Sequence, residues 1–584
     1  MSTTAQKTVN TAGYGFAFIV MLLVLVVAML FLIPGSSLFG VSSVDGRTSY
    51  TTYLASNNSD VEDLLKCRNL IIESRSIDVK ILVGKSGQLD ENSIQIWDNS
   101  TGLTFNSIKR THVDWEQIII EKEMEDGTFV GEVYYKLIIT EPSGIISRDA
   151  CVYVIYPMET IAASHAKAYN FFLNTGSSSV SFSSDDFEEE GFTYNWLNVD
   201  TVTVGNATGK ITFPERENEG DFYVEVGKIV VIGNNAEVDN KEATVEGGVD
   251  VSGDNVKLSL GEVEGDINVT GDKVTLSVGD VAGDITIEAR TGTITVGSVG
   301  GSVNIKGSIN FNQRTNSGVV AGNVDFRGDN GKVEINGCDE LYVDTKNADI
   351  RIRQKCSKIT FAATENGKLY AGQVGDADRL IVLGSYVNHE SPYDSNVIVK
   401  WGSVELLNVW CDVFVDMYGS AALKVDFAVG IYDSTKPETR MPRLKTLTYD
   451  GVANLNNICG EVNVFVRANG KGIVNADFAR VFGNSVIKYD GSSLPTTTAG
   501  NVKVTFIVDI SYCRLIVWHN RSGRNNGANV LTGPDPLEST VSSNNGMLNN
   551  NGAVYHVNKA SYSTGDIFGN LEVYTSNSLN VVSR

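Results

Sequence analysis

Proline is scarce in this chain, 10 residues in 584, and no long helical pattern follows residue 45. That excludes a helical bundle or coiled coil for the bulk of the protein. Histidine is equally thin: His112, His165, His389, His519 and His556 are scattered, with no metal or triad spacing. No GxSxG, HExxH or phosphate-binding loop occurs, so the motif-based routes to hydrolase, metalloprotease and nucleotide chemistry are closed. The seven cysteines, Cys67, Cys151, Cys338, Cys356, Cys411, Cys459 and Cys513, form no CxxC or zinc-ligand spacing. Basic residues are outnumbered 47 to 70, giving a formal charge of −23. A nucleic-acid binder needs the opposite balance, and docking on an anionic lipid surface is disfavoured for the same reason.

What is present is apolar sequence of two kinds. Tyr14 to Ile33 carries no charge, and at about 1.5 Å per residue such a helix spans a hydrocarbon core of about 30 Å. Pro34-Gly35 ends it. The run is longer than a signal-peptide core and lacks a small-residue cleavage site, which predicts an uncleaved signal-anchor. Lys7 precedes the span, so residues 1–13 are expected in the cytoplasm and the bulk outside, single-pass in a cell membrane. After a linker over 34–59, Val, Ile, Thr, Tyr and Phe fall into short alternating runs typical of strands.

Residues 60–157 read as a compact β-sandwich-like domain, with strands around 77–81, 93–97 and 133–137. Cys67 and Cys151 flank it and are candidates for a disulfide, the other reading being two buried thiols. The segment 245–305 is different in kind. Val245, Val263, Val281 and Val299 each begin a copy of V-x-G-[GDS]-[IV]-x-[IV], with starts 18 residues apart, and a looser copy begins at Val320. Alternate residues face one way in a strand, and Gly and Asp fall where the chain turns. An equal period repeated this way predicts an all-β parallel solenoid of about 18 residues per rung, stacked into a continuous core.

The period continues in Leu341 and Ile359, 18 apart, and in Leu380, 21 further on. The array is expected over 195–490, followed by a C-terminal β cap over 491–584 with a disordered loop at 521–552. Cys338 and Cys356 share the 18-residue offset, which predicts neighbouring rungs about 4.8 Å apart and either a disulfide or stacked thiols. The same register stacks Asp254 on Asp272, Glu262 on Asp280 and Asp266 on Asp284. Carboxylates so close invite calcium, although the calcium-binding nonapeptide repeat is missing and solvated turn acids are the alternative. No other cofactor is indicated.

The run from Val263 to Gly307 resembles the bacterial adhesin-like β-solenoid domains of membrane-anchored surface proteins, over roughly residues 220–400. That resemblance implies export and a surface or adhesive role, without binding residues to carry over. The expectation is therefore a non-enzymatic extracytoplasmic surface protein that binds a glycan, matrix or protein ligand. Two alternatives stay open: an anchored polysaccharide-active β-helix enzyme, and a bactofilin-like polymerising scaffold with its solenoid in the cytoplasm.

Overall fold

The computed structural model describes residues 42–45, 47–54, 57–84, 93–104, 110–123, 128–141, 144–147, 149–157, 169–184, 196–205, 207–214, 223–241, 244–375, 380–383, 399–416, 422–427, 444–449, 452–460, 462–466, 473–481, 483–489, 503–508, 513–520, 530–532, 540–541, 552–557, 569–575 and 578–583. The apolar run 14–33 lies outside them, as does most of 521–552. Among the described residues no helix is long and apolar enough to cross a membrane. The chain divides into two compact units, Met1–Gly265 and Asp266–Arg584.

The first unit is built on two ladders of parallel strands. One runs through Asp78–Gly84, Val180–Ser184, Lys210–Thr212, Glu237–Asn240 and Val256–Leu260. The other runs through Asn69–Glu73, Tyr169–Asn174, Trp196–Val204, Tyr223–Val231 and Val245–Ser252. Each ladder is extended at its start by strands that include antiparallel partners. Ala150–Pro157, parallel to Asp78–Gly84, also pairs antiparallel with Ser93–Asp98, which pairs antiparallel with Ser49–Leu54. The hairpin His112–Glu123 and Phe129–Thr140 joins the second ladder through Asn69–Glu73. A separate antiparallel sheet holds Ser42–Asp45, Thr101–Thr104 and Gly144–Ser147.

Two expectations change here. Residues 60–157 do not close as a sandwich of their own, because Asn69–Glu73 and Asp78–Gly84 already carry the parallel pairing, well before residue 195. The stretch read as linker also holds strands Ser42–Asp45 and Ser49–Leu54. A helix, Ser59–Lys66, follows; Asn58 caps it by accepting the Asp60 N–H at 3.0 Å, and Val61, Leu64 and Leu65 are buried at helical spacing. The core near this start is aromatic: Phe171 meets Phe182 edge-on at 5.3 Å, and Phe182 stacks on Phe213 at 4.8 Å.

In the second unit the strands are long and each bends around a rung. Asp266–Ser277, Ile285–Val296, Val303–Gln313, Val324–Ile335 and Cys338–Val374 pair in parallel, in that order. The steps Ile267 to Ile285 and Ile285 to Val303 are the expected 18 residues, and Val303 pairs with Val324 at the expected wider step. The next match slips by one residue. Thr360 pairs with Val382, where the sequence period aligned it with Ile381. Beyond this, two ladders again separate. Leu380–Leu383, Asp412–Asp416, Leu444–Tyr449, Val462–Val466 and Gly483–Tyr489 form one. Val399–Val409, Ala422–Phe427, Val452–Gly460, Ile473–Val481 and Lys503–Val508 form the other. The chain's last strands, Gly569–Thr575 and Ser578–Ser583, add in parallel to Gly483–Tyr489 and Lys503–Val508. Cys513–Asn520 then pairs with Gly569–Thr575 and takes Gly552–Val557 antiparallel. Within the expected loop 521–552, the short strands Val530–Thr532 and Thr540–Val541 are described.

Burial follows the alternation. Ile267, Val269, Val274 and Leu276 are buried, as are their counterparts Ile285, Ile287 and Ile294 one rung on. On the outside, opposite charges occupy neighbouring rungs: Arg290 holds Asp272, Lys306 holds Glu288, and Lys358 holds Glu340 at 3.0 Å. Such exposed pairs contribute little stability each, but they prevent like charges from meeting at equivalent positions.

The glycines of the repeat have a reason other than turning. Gly265 and Gly301 do not use left-handed backbone. A Cβ at Gly301 would lie 2.1 Å from Asp284 Oδ1 and 2.7 Å from the Gly283 carbonyl oxygen of the rung before. The residue is small because the adjacent rung fills the space. Gly301→Ala is therefore expected to lower unfolding free energy by about 1–3 kcal/mol, the usual cost of overpacking. A urea denaturation series on the purified protein checks this, and an unchanged midpoint would refute the steric account.

Candidate functional site

The corner acids are the first candidates from sequence. Asp266 Oδ1 accepts the Asp284 N–H at 2.8 Å, and Asp284 Oδ1 accepts the Ser302 N–H at 2.6 Å. Ser302 Oγ continues the series by accepting the Asn323 N–H at 3.1 Å. Asp280 Oδ1 accepts the Ser298 N–H at 2.7 Å. Each side chain thus satisfies a backbone donor on the next rung, at the corner where the ladder leaves that donor unpaired. Asp272 is engaged by Arg290 through both carboxylate oxygens, and that hydrogen-bonded ion pair holds its carboxyl below the usual range. Asp254 is exposed, with its N–H donated to Asn234 Oδ1 at 2.8 Å; Glu262 is exposed, with its carbonyl accepting the Val245 N–H at 2.9 Å. Among the described residues no group of three or more His, Cys, Asp or Glu side chains could hold a metal ion. Of the acids selected as calcium ligands, Asp266, Asp280 and Asp284 cap the next rung and Asp272 is an ion-pair partner.

The cysteines separate into two cases. Cys338 and Cys356 sit on adjacent rungs as their spacing predicts, both buried, with Cys338 Sγ 3.4 Å from Cys356 Sγ. They are thiols in series, since Cys356 Sγ in turn donates to the Lys358 carbonyl oxygen at 3.1 Å. The hydrogen bond with Cys356 and then burial hold Cys338 well above the usual thiol range. Cys67 and Cys151 are not joined. Cys67 caps the helix and donates to the Val133 carbonyl oxygen at 3.4 Å, on the side of Phe129–Thr140. Cys151 lies opposite Trp97 in the other ladder, and burial pushes its thiol up to about 11. The two flank the segment in sequence, but Cys67 ends the helix beside one ladder and Cys151 lies on a strand of the other.

The site that sequence reading missed is a shallow polar groove of about 340 Å³ in the second unit. It crosses four successive passes of the chain, because residues two apart on one strand sit beside the equivalent pair on the next. Along one bank, Asn330 pairs in register with Asn347, and Asn347 Nδ2 donates to Asn330 Oδ1 at 2.8 Å. Asn366 follows on the next pass. Along the other bank, Asn310 is in register with Lys332 and Lys332 with Asp349, followed by Lys368.

Between the banks the inward position is the buried Ile309 on the first pass and a small residue on the later ones. Gly331 pairs with Ala348, and Gly367 with Gly402. A Cβ on Gly331 would lie 2.1 Å from the Phe326 ring, so the backbone there runs directly over the core. That row of small residues makes the surface concave. Lys332 is held by Glu334 at 3.0 Å, whereas Lys368, Asp349, Asn310 and Asn366 have no side-chain partner among the described residues. The signal in the sequence was an outward amide at each pass, at intervals too uneven to read as a repeat.

No known family, curated protein or solved structure matches the chain.

Two outcomes are expected for these groups. Asp284→Ala should cost about 0.5–2 kcal/mol, as loss of a backbone-capping side chain does, and the wild-type melting temperature should be equal in calcium and in chelator. A calcium-dependent rise that Asp284→Ala abolishes would instead make the carboxylates ligands. Prolonged treatment with diamide should join Cys338 to Cys356, slowly because both thiols are buried and Cys338 is held protonated, since the sulfurs need only close to about 2.05 Å. Non-reducing peptide mapping checks this, and a cross-link to Cys67 or Cys151 in its place would contradict the register.

Proposed function

We propose that the protein is a membrane-anchored extracytoplasmic surface protein with a structural and adhesive, non-enzymatic role. In this reading residues 14–33 tether the chain in the cell membrane, and the outward faces of the β-solenoid ladders contact a glycan, matrix or protein partner. Kinship with the bacterial adhesin-like solenoid domains is part of the same proposal. The observation that carries it is the groove over residues 308–368, a concave polar surface displayed across consecutive passes of a backbone-locked ladder. Such a surface is pre-organised for binding, since the main chain has no freedom left to lose.

The groove is lined by one carboxylate, Asp349. Glycoside hydrolysis uses two, placed about 5–9.5 Å apart. This favours a binding role over a polysaccharide-cleaving one. The acidity of the whole chain likewise favours a glycan or protein partner over nucleic acid.

Protease added to intact cells that express the full chain with a C-terminal epitope tests the reading. Loss of the epitope, together with attachment of those cells to immobilised glycan or matrix, is the expected outcome. An epitope protected until the cells are lysed would overturn the surface assignment and favour a cytoplasmic scaffold.

A further inference from the structure

We infer that the groove over Ser308–Lys368 binds a linear acidic oligosaccharide, an inference that rests on the adhesive reading above and names its ligand. Four observations lead there. The largest apolar side chain in the lining is Ala348, so the groove has no pocket for an aromatic or aliphatic anchor. That disfavours hydrophobic peptides and apolar small molecules. Amides dominate instead: Asn310, Asn330, Asn347 and Asn366. An amide both donates and accepts, as does a sugar hydroxyl, so a row of them suits a ligand dense in hydroxyls.

The charge balance then selects the class of sugar. Lys332 and Lys368 face one acid, Asp349, in a chain whose formal charge is −23. An ammonium group without an ion pair in an acidic protein is a local point of attraction for anions. Lys332 is shared with Glu334, which leaves Lys368, without an ion pair among the described residues, as the principal anchor for a carboxylate or sulfate. Spacing supplies the last constraint. Equivalent positions recur about 4.8 Å apart from pass to pass, and Asn330, Asn347 and Asn366 fill one such row, so the ligand that satisfies that row is itself linear and repeating.

The lining also fixes how the affinity is built. No aromatic ring lines the groove, so no sugar platform supplies a dominant contact. Binding comes from several weak polar contacts. It should therefore grow with ligand length until the passes are covered, and it should weaken with salt because part of it is charge attraction.

Calorimetric titration of the full chain in detergent micelles tests this with oligogalacturonates of increasing length. Neutral cello-oligosaccharides of matching length and a polyglutamate peptide serve as comparators. The longest acidic sugar should bind best, with neutral sugar and polyglutamate clearly weaker. Lys332→Ala/Lys368→Ala should weaken binding about tenfold or more, as expected for losing charge-assisted contacts, and Asn366→Ala should weaken it less. Both sites are solvent-facing, so the melting temperature should not move. Absence of binding by the wild type, equal binding by the double variant, or polyglutamate binding as tightly as the sugar would each overturn the inference. The titration uses purified protein, so its result stands whether or not the chain reaches the cell surface. Cells bearing the double variant that still attach normally would overturn the groove assignment while leaving the adhesive reading intact.

Discussion

The interaction on which the rest depends is the parallel hydrogen-bonded contact between one pass of the chain and the next. It places chemically equivalent positions side by side at strand spacing, so every side chain must be compatible with a neighbour of its own kind. Inside, that is easily met: Ile267, Ile285 and Val303 stack as a dry column. Outside, it forces choices. Arg290 beside Asp272 and Lys306 beside Glu288 resolve the charge problem by alternation. Asp266, Asp284 and Ser302 resolve it differently, each turning its oxygen onto the backbone of the next pass.

The same contact explains which residues are small. Gly301 faces the Gly283 carbonyl oxygen and the capping oxygen of Asp284, and Gly331 faces Phe326. In the first case the vacancy makes room for a cap. In the second it lowers the backbone and leaves a groove at the surface. One constraint thus produces a structural joint at one corner and a concave polar groove at another.

Much of this was legible in the sequence where the period is strict. The copies beginning at Val263, Val281 and Val299 fixed the rung, and Cys338 with Cys356 confirms that the register persists beyond them. Legibility failed where pairing partners are remote. Asp78 Oδ1 caps the Ser179 N–H across 101 residues, and no local pattern marks Asp78–Gly84 as parallel to Val180–Ser184 and not as part of a sandwich. It failed again at Thr360, where an insertion shifts the pairing by one residue. The corner acids were found, but their bonds to the next pass were not read from the sequence, since the spacing that stacks two carboxylates is equally the spacing that offers each of them a backbone N–H. The groove was invisible because its amides come at intervals of 20, 17 and 19 residues from Asn310 through Asn366, which no fixed period collects.

That unevenness has a consequence of its own. Between paired strands the chain advances 18 residues at Ile267, 30 at Ala422 and 75 at Lys503, and the pairing is of the same kind each time. The ladder is therefore indifferent to what is spliced between its strands. New surface segments can be acquired, exchanged or lost there without renegotiating the interior, so a lineage carrying this scaffold could diversify what it displays far faster than how it folds.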